Sequence, residues 1–429
     1  MIELTVTTLA HGGAGLGHHD GKAVFVFGAI PGDRIRCHIV QNKKRYARAD
    51  LVEILDPSDL RQEPACSHFG DCGGCDWQQL SYEQQCQWKQ RLFADSCVRH
   101  GHIEQGSVRA FVPAPQEFGY RSRVQFKCGN AAQGFVLGFY RRGSHDVIDV
   151  RQCPVVAPPI AAQMTAWRTL FDGSVYASFV SQIDVAVGCD DALRTIVHYH
   201  GTETNAFCSW LAGCLNAVDG AVLVQSGHKS GKSALTVLRG QANLAIRVDD
   251  PPLELHYGPG GFAQVNLAQN RQLVARVIEA AEVTAEDCVL DLYCGMGNFS
   301  LPLARCAGEV VGVEDYAPSI ASAADNRDAL GLDNATFHAC SVKDFLGRWK
   351  RAADVIVLDP PRSGARDAVA GIMGCRPRRI VYVSCDQQTL MRDITALAQA
   401  YTVTSIQALD MFPQTCHTEV LAVLDRRQG

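Results

Sequence analysis

From about residue 256 the chain alternates short apolar strands with helical stretches, and this pattern constrains the fold more than any other feature. Helical spacing runs over 265–281. An apolar strand follows at Cys288–Leu292, then a helix at 299–305 and strands at 310–313, Val355–Leu358, 380–383 and 419–424. Short strands alternating with helices pack as a doubly wound, mostly parallel α/β sheet. In such a sheet ligands bind outside the carboxyl ends of the strands, so the residues just past each strand are where chemistry is expected.

Four motifs occupy such places. The first is Asp291-Leu292-Tyr293-Cys294-Gly295-Met296-Gly297-Asn298-Phe299, a strand, a Gly-rich turn and the start of a helix. Its glycines let backbone approach a bound cofactor. Glu314 ends the next strand, where a carboxylate can accept hydrogen bonds from both ribose hydroxyls. The rival cofactor is a nicotinamide dinucleotide. Its fingerprint wants a third glycine at position 300, which is Ser300. The second motif is Asp359-Pro360-Pro361-Arg362, in which two prolines stiffen the loop and aim the Asp into the crevice. Amine methyltransferases usually place an aromatic after the prolines, so Arg362 speaks against N-methylation. An ordinary proline turn is the alternative.

The third motif is Ser384-Cys385-Asp386. An inert buried thiol is the commonest fate of a lone cysteine, and Cys288, Cys294, Cys306 and Cys340 fit it. Cys385 differs by standing at a strand tip, which makes it the candidate nucleophile. The fourth is the block from Asp410 to Glu419, whose His417 and Glu419 open the final strand. Residues two apart on a strand share a face. Glu419 is a candidate base acting after thiolate addition, and His417 a structural hydrogen-bonder.

The first 56 residues read differently. Strands at Ile2–Leu9, 23–27 and 34–40, with Gly-rich turns between them, suggest a small five-stranded OB-like barrel. Arg34, Arg36, Lys43, Lys44, Arg45 and Arg48 crowd one part of it, either as a phosphate-contacting patch or as a solvated face. A linker at 56–58 leads to Cys66, Cys72 and Cys75, for which Cys153 is the natural fourth member; this spacing indicates a metal or cluster without choosing zinc or iron–sulfur. A helix is expected over 82–100. Paired strands over 118–150 interleave aromatics with arginines, in Phe118, Tyr120, Arg121 and Arg123 and again in Phe139, Tyr140, Arg141 and Arg142. That suits bases on rings and phosphates on guanidiniums, or plain β surface. Residues 160–255 give no clear pattern. Gly231-Lys232-Ser233 fails as a phosphate loop because Ser226 stands where its first glycine is needed, and 226–233 reads as a hairpin turn.

A chain of 429 residues suggests two or three domains, and 47% hydrophobic with 20% charged residues is an ordinary globular balance. The net charge of −5 argues mildly against binding nucleic acid by bulk charge and leaves local basic patches open. No apolar run approaches membrane length, and the start lacks a signal-peptide pattern, so a cytoplasmic protein is expected. Eighteen cysteines in such a chain point to thiols, a metal or cluster site, or a catalytic thiolate.

Together these motifs resemble the RNA uracil-5-methyltransferase family, and most closely its ribosomal branch, which modifies 23S rRNA and carries a 4Fe–4S cluster. The resemblance covers nearly the whole chain. It implies a class I S-adenosylmethionine-dependent methyltransferase with three parts: a TRAM barrel at 1–58, a central α+β iron–sulfur, RNA-binding domain at 59–255, and the catalytic domain at 256–429. It implies that Cys66, Cys72, Cys75 and Cys153 ligate the cluster. Gln264, Tyr293, Asn298, Glu314 and Asp359 would line the S-adenosylmethionine pocket, with Cys385 the nucleophile and Glu419 the base. Ser341 stands where relatives often place Asn near the adenine, and Gln387 where they have Pro after the nucleophile. The transfer-RNA branch lacks the barrel and the cysteine block, so both favour ribosomal RNA. The expected partner is RNA, without DNA or membrane, and the expected state a monomer. The alternatives are the same chemistry on transfer RNA and a non-catalytic, cluster-containing RNA-binding protein.

Overall fold

The computed structural model describes residues 1–131, 134–227 and 233–427. Most of the 226–233 turn therefore lies outside the described residues. The chain separates into two compact units. The first comprises 1–92, 116–242 and 412–417; the second comprises 93–115, 243–411 and 418–429. No described helix is long and apolar enough to cross a membrane.

The first unit begins with a closed barrel of β1 (Ile2–Leu9), β2 (Gly15–His19), β3 (Lys22–Val26), β4 (Arg34–Asn42) and β5 (Tyr46–Asp56), in the order β1-β2-β3-β5-β4. Alternate residues point inward, and Leu4, Val6, Val24, Val26, Ile35 and Cys37 form its core. The basic residues expected to crowd together separate into two groups. Arg36 is paired with Glu3 and Glu53, whereas Lys43, Lys44 and Arg45 are exposed on the β4–β5 turn. Helix α1 (Tyr82–Gly101) follows the cysteine-rich stretch.

Next come β6 (Arg123–Ala131), β7 (Gly134–Tyr140), β8 (Val147–Asp149), α2 (Pro158–Phe171), β9 (Val180–Val187), β10 (Leu193–Tyr199), α3 (Thr204–Cys214), β11 (Ala221–Gly227) and β12 (Ser233–Arg239). The strands form one sheet, ordered β12-β11-β10-β9-β6-β7-β8. Trp167, Phe171 and Phe207 pack on it, and Tyr199 stacks on Phe207 with ring centroids 4.0 Å apart. Two of the four interleaved aromatics turn out to be structural, and Tyr140 is exposed. Tyr120 is buried and its hydroxyl donates to the Pro413 carbonyl at 2.9 Å, and Phe139 packs against the core.

The second unit contains a hairpin, β13 (Leu244–Val248) and β14 (Leu253–Tyr257), then α4 (Leu267–Ala281). It continues with β15 (Cys288–Leu292), α5 (Ser300–Ala304), β16 (Glu309–Glu314), α6 (Ala317–Leu330), β17 (Ala335–Ala339) and α7 (Val342–Arg348). Last come β18 (Val355–Leu358), α8 (Val369–Cys375), β19 (Arg379–Ser384), α9 (Gln387–Leu397), β20 (Tyr401–Leu409) and β21 (Glu419–Arg426). The sheet order is β17-β16-β15-β18-β19-β21-β20, parallel except for β21. The four residues of β18 are fully buried. Burying each such side chain contributes about 1.5–3 kcal/mol. The outer edge of β20 is covered by residues 108–112, whose Arg109 and Val112 amides donate to the Ile406 and Ala408 carbonyls. One expectation is corrected here. His417 does not open the final strand, which begins at Glu419; it is exposed, and its ring meets Phe412 edge-on within the first unit.

Candidate active site

The Gly-rich turn leaves β15 at Tyr293, whose φ of 66° is rare for a residue with a side chain. Hydrogen bonds from the Tyr293 and Cys294 amides to the Val313 carbonyl, 2.8 and 3.0 Å, hold it there. Gly295 has φ 56° and open space where a Cβ would stand. The turn bounds a cavity whose lining includes Phe262, Gln264, Tyr293, Asn298 and Asp359, so four of the six expected cofactor residues meet in one place. Asn298 and Asn270 exchange side-chain amide hydrogen bonds at 2.8 and 3.1 Å, which orients Asn298.

The other two stand outside that lining. The Glu314 carboxylate accepts from the Tyr316 amide at 2.9 Å and from Gly295; burial, with Asp315 beside it, raises its pKa. The Ser341 hydroxyl accepts from the Asp344 amide at 3.1 Å and caps α7, and the preceding Cys340 amide donates to the Glu314 carbonyl. Buried Asp291 accepts from the Ser300 hydroxyl. This bond is a structural use for the serine found where a dinucleotide fingerprint has glycine.

At the tip of β19, Ser384 is the register partner of Val420 in β21. Cys385 directly follows Ser384, and Glu419, the first residue of β21, directly precedes Val420. Burial, then the Glu419 and Asp359 carboxylates, pushes the Cys385 thiol up to about 11, while the Arg362 guanidinium works the other way. Glu419 is 2% exposed and its Oε1 has no hydrogen-bond partner. Burial first, and then Asp359, holds its pKa well above the carboxylate range, again opposed by Arg362. Burial and the nearby Asp291 push Asp359 up to about 7. From sequence, Arg362 bore only on N-methylation. Its position after the Asp-Pro-Pro tip was the signal that this cation faces the thiol.

The motif following Cys385 fastens two loops together. Asp386 caps α9, accepting from the Thr389 amide at 2.9 Å. The Thr389 hydroxyl donates to the Arg362 carbonyl, and the Arg392 guanidinium to that of Ser363. Buried Asp393 accepts from the Ala365 amide and the Tyr382 hydroxyl, each at 2.8 Å. Gly364, at φ 77°, lies so close to Arg392 and Asp393 that a Cβ would collide with both. The loop from Asp359 is thereby pinned to the helix that starts beside the nucleophile.

In the first unit Cys66, Cys72, Cys75 and Cys153 line one cavity, with Arg121 and Gln78 beside them. Burial pushes Cys75 up to about 12 and Cys153 up to about 11, and neighbouring thiols add to both shifts.

The seven-stranded sheet, with its antiparallel β21 and the cavity at the carboxyl ends of β15 and β18, defines a class I S-adenosylmethionine-dependent methyltransferase. The tRNA (uracil-5-)-methyltransferase family model matches residues 104–427 and the TRAM domain matches 1–52; the chain belongs to that family of S-adenosylmethionine-dependent RNA uracil-5-methyltransferases. It is 35% identical to the 23S rRNA (uracil(1939)-C(5))-methyltransferase of Xanthomonas euvesicatoria, over 99% of this chain and 97% of that one. It is 34% identical to an RNA methyltransferase of Thermosynechococcus vestitus, with the same two coverages. Among solved structures it resembles the Pyrococcus abyssi tRNA (uracil-54, C5)-methyltransferase in complex with S-adenosyl-L-homocysteine. That match has TM-score 0.78 and 25% identity, and covers 99% of this chain and 100% of that one. An enzyme named for transfer RNA is thus similar in fold over nearly the whole of this chain.

Proposed function

We propose that this enzyme methylates carbon 5 of a uridine in 23S rRNA through a covalent adduct on Cys385, with Glu419 as the base. The observation that carries the chemistry is that Glu419 and Asp359 both act on the Cys385 thiol at the sheet's carboxyl end, where Asp359 lines the cavity. The ribosomal substrate is supported by relatives at 34–35% identity that are named for it. Transfer RNA is the second reading, favoured by the archaeal structure.

S-adenosylmethionine, when bound, supplies the methyl group. Gln264, Tyr293, Asn298 and Asp359 would line its pocket, Glu314 would hold the ribose, and Ser341 would stand near the adenine. Carbon 5 of uracil is too weak a nucleophile to take a methyl group unaided. Cys385 loses its thiol proton to solvent, aided by the Arg362 cation, and its sulfur bonds to carbon 6. The ring's electron pair moves toward carbon 5, which forms the new carbon–carbon bond as the donor's methyl–sulfur bond breaks and its electron pair stays on sulfur. Glu419 then takes the carbon-5 proton, the carbon–sulfur bond breaks, and Cys385 leaves as thiolate. Burial strengthens Glu419 as a base by disfavouring its charged form. The target base must leave its stack to reach these groups.

Cys66, Cys72, Cys75 and Cys153 are proposed to hold a 4Fe–4S cluster. Four thiols around one cavity are the donor set such a cluster takes. The cluster would staple the loop at 66–75 to Cys153.

Purified enzyme given labelled S-adenosylmethionine should place 5-methyluridine in 23S rRNA and leave transfer RNA unlabelled. Label in transfer RNA alone would favour the second reading, and label in neither would overturn both.

A further inference from the structure

The register of β19 with β21 ends at Ser384 and Val420. Past that pair, one chain carries Cys385 and Asp386, and the other carries Glu419. The two chains meet once more. The Gln387 side-chain amide donates to the Thr418 hydroxyl at 2.8 Å. Thr418 directly precedes Glu419 and is 4% exposed. The strand pairing and this side-chain bond thus close a small ring within the second unit. Cys385 lies on one side of the ring and Glu419 on the other.

The Cys385 side is stiff. The Asp386 amide donates to the Ser384 hydroxyl oxygen at 3.2 Å, and that hydroxyl donates to the Asp386 carbonyl at 3.0 Å. Asp386 caps α9, and Gln387 is the first residue of that helix, so the helix fixes where the Gln387 side chain starts. On the other side, Glu419 is the register partner of Leu409 in β20, and Thr418 is the first residue of the unit's last stretch, 418–429. The bond from Gln387 holds the start of that stretch from the side of the nucleophile. Either orientation of the amide makes it, because a threonine hydroxyl both donates and accepts.

We infer that Gln387 is a positioning residue for the reaction: by bonding to Thr418 it closes the ring and sets how far the Glu419 carboxyl stands from the Cys385 sulfur. The inference rests on the reading of these two as base and nucleophile. Forming the adduct needs Cys385. Releasing it needs Glu419 within reach of carbon 5 on a ring that Cys385 holds. An error of about 1 Å in a catalytic group can cost about a hundredfold in rate, so loss of the link slows release more than formation.

The test uses the full-length enzyme with Gln387→Ala, Thr418→Val, Thr418→Ser and the double variant Gln387→Ala/Thr418→Val. With 23S rRNA and methyl-labelled S-adenosylmethionine, Gln387→Ala and Thr418→Val should each accumulate about three- to tenfold more methylated RNA–protein adduct than the unsubstituted enzyme, the worth of about one hydrogen bond. The double variant should accumulate no more than either, because both changes break the same bond. Thr418→Ser keeps the hydroxyl and should match the unsubstituted enzyme. If Gln387→Ala does not fold, the two Thr418 variants decide, since valine keeps the shape of the buried side chain and loses only its hydroxyl. An ordinary adduct level in Thr418→Val, slowed turnover without adduct, or effects that multiply in the double variant would overturn the link. Glu419→Gln is run beside them. Absence of adduct there would remove the base reading, and the rates of product formation would then judge the link alone: equal slowing in the single and double variants supports it, and multiplying effects overturn it.

Discussion

Cys385 directly follows β19 and Glu419 opens β21, each one residue beyond the Ser384–Val420 register pair. The Glu419 carboxylate is, after burial, the largest influence raising the Cys385 thiol, and the opposing cation is Arg362. Burial and this carboxylate therefore disfavour the charged form of Cys385. The resting state this favours keeps Cys385 a thiol, with a thiolate formed only when substrate arrives.

This arrangement fixes a pH dependence. A thiol whose pKa is raised to about 11 is deprotonated in proportion to hydroxide below that value. Alkylation of Cys385, followed by peptide mass spectrometry, should accelerate about tenfold per pH unit from about pH 7 to 10. Arg362→Met should slow it further, because the cation that lowers the pKa is gone. A plateau below about pH 9 would show a thiolate already formed at rest.

Glu314 ends β16 beside the Gly295 turn. Glu314→Ala should weaken S-adenosylmethionine binding by about 1–3 kcal/mol, the cost of leaving ribose hydroxyls unpaired. Calorimetry decides it, and unchanged affinity would remove Glu314 from the pocket.

The cysteine cavity carries its own test. Protein purified without oxygen should be brown and contain about four irons. Cys72→Ser should bleach it and lower its melting temperature. Elemental analysis giving one zinc and no iron would assign the site to zinc.

Lys43, Lys44 and Arg45 project from the β4–β5 turn. Replacing all three with Ala should weaken RNA binding and flatten its salt dependence, by about one unit of slope for each phosphate no longer neutralised. Filter binding from low to high salt measures this. An unchanged slope would return the turn to solvent.

The strands Cys288–Leu292 and Val355–Leu358 were legible to the residue because parallel strands buried on both faces are unbroken apolar runs. The edge strands β17, Ala-Thr-Phe-His-Ala, and β20, rich in Thr, Ser and Gln, carry no such run and were missed. Helix α6 escaped notice because its small and polar residues make no apolar stripe. The strand-tip rule found Cys385, Asp359 and Glu314, since position along the chain gives position on the sheet. It misplaced His417, which leaves the strand path to join the other unit. Asp76 and Cys416 are 340 residues apart, and no local pattern announces a bond between them.

The order of events at Cys385 and Glu419 is the central claim, and one gel measures it. Enzyme variants are incubated with methyl-labelled S-adenosylmethionine and substrate RNA, then denatured and separated. Cys385→Ala should give neither adduct nor product, because carbon 5 is never activated. Glu419→Gln should transfer the methyl group and stall, since an amide cannot take the carbon-5 proton. Its labelled RNA–protein band should accumulate and survive denaturation. Normal turnover by Glu419→Gln would assign the base to another group, and activity in Cys385→Ala would contradict the covalent mechanism itself.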